Sequence, residues 1–135
     1  MKADRRQSIE VDARRFLPLT HLSFEVLLAL AGSDRHGYGI VKEIERRSAG
    51  VIAPGTGTLY VALHRLLEDG LIEESDRRPA KAGGDDARRR YYRLAPLGRA
   101  VAQAEAERLA ASVDAARANQ LLPARDRPAN GSARS

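Results

Sequence analysis

Gly55-Thr56-Gly57-Thr58-Leu59-Tyr60-Val61-Ala62-Leu63-His64-Arg65-Leu66-Leu67-Glu68-Asp69-Gly70 reads as one short amphipathic helix with both ends marked. Glycines and threonines at its start are turn and N-cap residues. Leu59, Ala62, Leu63, Leu66 and Leu67 recur at i, i+3, i+4, i+7 and i+8, the buried stripe of a helix. Gly70 follows where a helix commonly needs a residue of positive φ. The opposite face carries Thr58, Val61, His64, Arg65 and Glu68, with Tyr60 on its flank. Small polar and basic groups at the exposed N-terminal end of a helix held from behind describe a candidate recognition helix for DNA.

Two elements precede it. Thr20 is placed to cap a helix over residues 21–31, where Leu22, Phe24, Val26, Leu27, Leu28, Leu30 and Ala31 are apolar almost all round, as in a buried central helix. His36-Gly37-Tyr38-Gly39 opens a second helix whose apolar face is Ile40, Val41 and Ile44. After Gly70, Leu71 to Ser75 predicts a strand. Arg90-Tyr91-Tyr92-Arg93-Leu94 predicts its partner, with Tyr92 and Leu94 on one face and Tyr91 and Arg93 on the other. Between Asp76 and Arg90 lie six basic and three acidic residues, punctuated by Pro79, Gly83 and Gly84, as in a long mobile hairpin tip. Pro96 suits the first position of a last helix over 97–122, rich in Ala, Arg and Glu. Helix, helix, helix, strand, basic loop, strand, long helix is the winged form of the helix-turn-helix. The expected class is mainly α (α+β).

The remainder is divided accordingly. Residues 1–16 are a polar arm in which Ile9, Val11 and Phe16 are too sparse to define a face, and 17–95 are the DNA-binding domain. Residues 96–122 are a dimerisation helix with a thin stripe of Leu97, Val101, Ala104, Leu109, Val113 and Ala116, and 123–135 are a disordered tail.

Composition bounds the function. The 135 residues carry a net charge of +5, with an isoelectric point near 10.1, which favours a polyanionic partner, nucleic acid before membrane. The longest apolar run, Val26 to Ala31, is far short of the roughly 20 residues a membrane span needs. No signal-type segment follows the charged N-terminus, so a cytoplasmic protein is expected. With no cysteine, and with His21, His36 and His64 scattered, no metal site or cofactor is expected. Gly55-Thr56-Gly57 lacks the Gly-Lys-Ser/Thr ending of a phosphate-binding loop, and no nucleophile elbow or carboxylate pair suggests an enzyme.

His36-Gly37-Tyr38-Gly39-Ile40, Gly57-Thr58-Leu59-Tyr60, Arg65-Leu66-Leu67-Glu68-Asp69-Gly70-Leu71-Ile72, Arg90-Tyr91-Tyr92-Arg93-Leu94 and Leu97-Gly98 resemble, in order and spacing, the PadR family of transcriptional regulators. The resemblance covers about Leu19 to Leu109. It implies a homodimeric winged-helix repressor on operator DNA, paired through its C-terminal helix and frequently released by a small-molecule inducer. Two positions depart from the pattern: Val61 stands where many relatives have proline, and Ala95 where threonine is common.

Candidate DNA contacts follow from what such a surface needs, phosphate anchors for register and side chains that reach base edges. Thr56 and Thr58 lie at the helix N-terminus, where free N–H groups favour a phosphate. Tyr60, His64 and Arg65 can reach a phosphate or a base edge. Tyr38 begins the helix that crosses the DNA backbone, and Gly37 and Gly39 would let that backbone come close to a phosphate. Arg88, Arg89, Arg90 and Arg93 are wing contacts, within a basic wing of about 76–93. Asp85 and Asp86 oppose docking of the wing tip on phosphate. All four tyrosines fall in these elements, which leaves Phe16 and Phe24 as the rings available to an aromatic inducer pocket. The competing reading is a winged-helix module that binds protein without sequence-specific DNA binding.

Overall fold

The computed structural model describes residues 2–76 and 89–124. The chain divides into two compact units at Glu105. The expected wing tip and the expected disordered tail beyond residue 124 lie outside the described residues.

The N-terminal segment is a helix, α1 (Lys2–Arg14), where the sequence suggested an arm with no face. Its attachment comes from its end: Ala13 is buried in the main core, and Phe16 and Leu17 pack against that core. α2 (His21–Gly32) begins as expected, with the Ser23 N–H donating to Thr20 Oγ1 at 3.1 Å. Phe24, Val26, Leu27, Ala29 and Leu30 bury it at the centre of the domain.

A two-residue strand, β1 (Arg35–His36), precedes α3 (Gly37–Arg47). His36 serves both elements. Its backbone pairs with Tyr91, and its Nδ1 accepts the Gly39 N–H at 2.9 Å, capping α3. Ile40 and Ile44 bury α3.

The candidate recognition helix is α4 (Thr56–Glu68), with Leu59, Leu63 and Leu66 in the core. It closes as its sequence implies. Gly70 has φ +77, its N–H donates to the Leu67 carbonyl at 3.1 Å, and the Leu71 N–H donates to the Leu66 carbonyl at 3.0 Å. These two bonds are a Schellman motif, which a left-handed glycine makes available without strain. The chain therefore turns directly from α4 into β2 (Ile72–Ser75).

β2 and β3 (Tyr91–Leu94) are antiparallel, with Glu73 opposite Arg93 and Ser75 opposite Tyr91. The sheet order is β1-β3-β2. β3 is thus central, and both Tyr91 and Tyr92 are buried, not only the one on the expected inner face. Tyr92 joins the main core, whereas Tyr91 meets the His36 ring edge-on at 5.1 Å. Ser75 Oγ donates to Asp34 Oδ2 at 2.7 Å, tying the end of β2 to the chain before β1.

α5 (Pro96–Ala118) starts where expected. The Ala95 N–H donates to the Leu71 carbonyl at 3.0 Å. Val101 is 0% exposed and Leu97 packs on the same core. Those two residues of the expected dimer stripe are thus occupied by the protomer itself; the fully enclosed Val101 offers no surface to a second copy. Glu105, which no sequence pattern singled out, is 1% exposed, and its Oε2 accepts the Leu19 N–H at 3.0 Å. In the second unit, Leu109 and Ala116 are half-buried and Val113 is exposed. The helix stops at Ala118, short of the expected 122. The Leu121 N–H donates to the Ala116 carbonyl at 2.8 Å, with Gln120 in the left-handed region. No described helix is long and apolar enough to cross a membrane.

Candidate nucleic-acid interface

α4 presents an open N-terminus. Gly55, not a threonine, is its N-cap, and it makes no side-chain capping bond. Thr56 is the first helical residue. The first-turn N–H groups are left facing outward with Thr56 and Thr58 exposed beside them, the arrangement that receives an anion.

The middle of the exposed face is Val61, 68% exposed. The polar residues around it divide into two flanks. On one, Thr58 and Arg65 line a cleft of about 470 Å³ whose other wall is Phe16, Pro18 and Leu22. On the other, the Tyr60 ring lies against Gly37. A Cβ on Gly37 would collide with the Tyr60 hydroxyl and lie 2.9 Å from its Cζ. Glycine at 37 therefore leaves room for the Tyr60 ring against the start of α3. Gly39 faces the His36 ring at an ordinary 3.5 Å. His64 Nε2 lies 3.2 Å from Glu68 Oε2, so the imidazole already has a carboxylate neighbour one turn away.

Next to this flank stands Tyr38, 54% exposed. The His36 ring lies nearly parallel to it at 6.3 Å. Lys42 Nζ and Arg89 Cζ each lie 5.2 Å from its ring centroid. The hydrogen bond with Tyr38 is the main reason the Lys42 ammonium is held above its ordinary pKa, with Glu45 adding to it. Lys42 was not singled out from sequence, although Tyr38 and Lys42 are an i,i+4 pair on α3 and so share a face.

The wing arginines separate by partner. Arg93 Nε donates to Glu73 Oε1 at 3.0 Å across the β2–β3 pair. Arg90 Nε lies 3.6 Å from Glu74 Oε1. Both pairs are exposed, where such bridges are weak and easily exchanged for another anion. Arg89 turns instead to Tyr38. Arg88 lies outside the described residues. Beneath them burial pushes the Tyr92 phenol above its ordinary pKa, with Tyr60 nearby adding to the shift and Arg90 opposing it.

Arg89 at the foot of the wing thus meets Tyr38 of α3, and Tyr60 of α4 lies against Gly37, the residue before it. Thr58 and Arg65 belong to the far flank of α4. Among the described residues no group of His, Asp or Glu is placed to hold a metal.

A family model described as the PadR-like family of transcriptional regulators matches residues 26–104. The chain is similar to a transcriptional regulator of Mycobacterium tuberculosis, 37% identical over 75 residues, 56% of this chain and 63% of that protein. Among solved structures it is similar to a transcriptional regulator from Clostridium thermocellum, with 26% identity and a TM-score of 0.59, over 72% of this chain and 87% of the other. It also shares a fold with Bacillus subtilis PadR in complex with operator DNA, with 16% identity and a TM-score of 0.50, over 81% of this chain and 50% of the other.

Proposed function

The chain belongs to the PadR-like family of transcriptional regulators, and from that premise we propose that it is a repressor that binds a near-palindromic operator as a homodimer. α4 enters the major groove, and the wing adds affinity through the backbone. Residues 96–122 carry the dimer contact, through Ala104, Leu109, Val113 and Ala116 once Leu97 and Val101 are assigned to the domain core. Two recognition helices then address half-sites about 34–36 Å apart. Release by a small molecule completes the proposed cycle.

The observation that carries this reading is the open N-terminus of α4 with exposed threonines, beside a flank where Tyr38, Lys42 and Arg89 gather. An uncapped helix start and adjacent cations suit phosphate, while Val61 and Arg65 suit base edges.

Selection of duplexes from random sequence, followed by binding at rising salt, tests it. The recovered site is expected to be near-palindromic. The log of affinity should fall linearly with the log of salt, by about 0.9 per phosphate contacted. Failure to retain any duplex, or retention that ignores salt, overturns the reading in favour of a protein-binding winged helix.

A further inference from the structure

The cleft of about 470 Å³ on one flank of α4 has walls from two parts of the chain. Phe16, Leu19 and Leu22 come from the segment that leads into α2, and Ala62, Leu66 and Leu71 from α4 and the turn after it. The same cleft is lined by the exposed Thr58, Val61, Arg65 and Asp69. Its volume, and an apolar lining with a few polar groups, are those of a small-molecule site.

Two observations narrow what fits. The apolar walls are aliphatic apart from Phe16, since the other phenylalanine, Phe24, is buried on α2. One ring cannot sandwich an aromatic ligand, whereas an alkyl chain needs only aliphatic neighbours. The second observation is Arg65. Asp69 follows it one turn later, yet among the described residues the Arg65 guanidinium makes no ion pair or side-chain hydrogen bond. A guanidinium with its donors unused beside an apolar cleft matches an alkyl chain that ends in a carboxylate. Asp69 in the same cleft weighs against a second anionic group on the ligand.

We propose that this cleft binds an aliphatic monocarboxylate, with its chain against Leu22 and Leu66 and its carboxylate on Arg65, and that the bound acid and DNA exclude one another. This rests on the reading of the chain as a DNA-binding regulator and names the site from which a small molecule releases it. Exclusion follows from shared residues. Thr58, Val61 and Arg65 line the cleft and also belong to the exposed face that α4 offers to the groove. A carboxylate on Arg65 occupies the donors a base edge would need, and it adds negative charge where DNA approaches.

Octanoate is the probe, with octanol as its uncharged counterpart, each titrated calorimetrically into the full-length chain. Both should bind the parent saturably. The ratio of octanoate to octanol affinity should fall about fivefold in Arg65→Gln, the coupling of an exposed ion pair. Ser23→Leu fills the cleft from the α2 side. It should abolish binding of both probes while affinity for a duplex recovered by selection stays at the parental value. Octanoate should release that duplex from the parent and not from Ser23→Leu. Circular dichroism melts identify a variant that fails to fold, and competition between octanoate and duplex on the parent tests the site without any variant. The site is overturned if the parent binds no octanoate, or if octanoate and duplex occupy the parent together. It is likewise overturned if Arg65→Gln leaves the affinity ratio unchanged, or if a folded Ser23→Leu protein binds octanoate like the parent. A parent that binds octanoate but no duplex overturns the DNA reading and the competition with it, whereas one that holds its duplex and no octanoate overturns the site alone.

Discussion

Gly98→Ala tests whether α5 is seated against the α4–β2 turn as tightly as the structure places it. A Cβ on Gly98 would fall on the Leu71 carbonyl, 2.8 Å from its carbon and in collision with its oxygen. That oxygen also accepts the Ala95 N–H at 3.0 Å. The obstacle is main chain, so no side-chain rotation relieves it, and either the start of α5 or the turn after Gly70 must move. Forced overpacking typically costs about 1–3 kcal/mol, and a weakened Leu71–Ala95 hydrogen bond adds about 1 kcal/mol. Alanine's helix propensity returns at most about 1 kcal/mol, and less in a first turn. The net is a destabilisation of about 1–3 kcal/mol. Urea unfolding at fixed protein concentration, followed by far-ultraviolet circular dichroism, should show a midpoint lowered by roughly 1 M with an unchanged slope. Gly37→Ala is the contrast. Its obstacle is the end of a half-exposed Tyr60 ring, which can swing into solvent, so its stability loss should stay below about 1 kcal/mol. A Gly98→Ala protein as stable as its parent, or one no worse than Gly37→Ala, would refute the close seating of α5.

Glu105→Ala should lower stability by about 1–3 kcal/mol, because it strands the half-buried Leu19 N–H and empties the enclosed Glu105 site. Glu105→Gln, which keeps an acceptor, should recover part of that loss, and equal melting temperatures for all three proteins would show the contact to be idle. Tyr92 gives a pH prediction. Its phenol is raised above 10.0 in the folded protein, chiefly by burial, so the folded state holds the proton more tightly than the unfolded chain. Its contribution is complete below pH 10 and is lost as pH rises through the raised value. Alkaline unfolding curves should therefore flatten in Tyr92→Phe, and identical curves for the two proteins would rule out Tyr92 as the cause. Val61→Ala should weaken operator binding by an amount that disappears when one thymine is replaced by uracil, as expected if Val61 meets a thymine methyl group. A deficit that persists through uracil substitution at every thymine would exclude that contact.

The elements legible in the sequence are those whose signal is local and repeated. Leu59, Leu63 and Leu66 return every turn, and Gly70 ends α4 by a backbone requirement that few residues meet. α1 escaped because its anchor is Ala13, a residue too small to mark a face, followed by Phe16 and Leu17 beyond the helix end. β1 escaped because two residues have no period, and its pairing with Tyr91 and Tyr92 spans more than fifty positions. Glu105 looked like one more helix-forming glutamate until its distant partner, Leu19, was in view. The candidate interface divides along the same line. The sequence reading already sets Tyr60 on the flank of the face that carries Thr58, His64 and Arg65. Residues two apart on an α-helix point roughly 160° apart around its axis, so Thr58 and Tyr60 cannot share a face. The structure puts Thr58 and Arg65 on the cleft and Tyr60 on Gly37. What no helical wheel supplies is the meeting of Lys42 with Arg89 at Tyr38, because that depends on how the foot of the wing returns to α3. Under the proposed function, residue types along α4 limit which bases can be read. Where the protein sits on the DNA backbone depends on contacts between elements, and a chain that kept α4 but lost the Tyr38 cluster should keep its base preferences while binding every sequence less tightly.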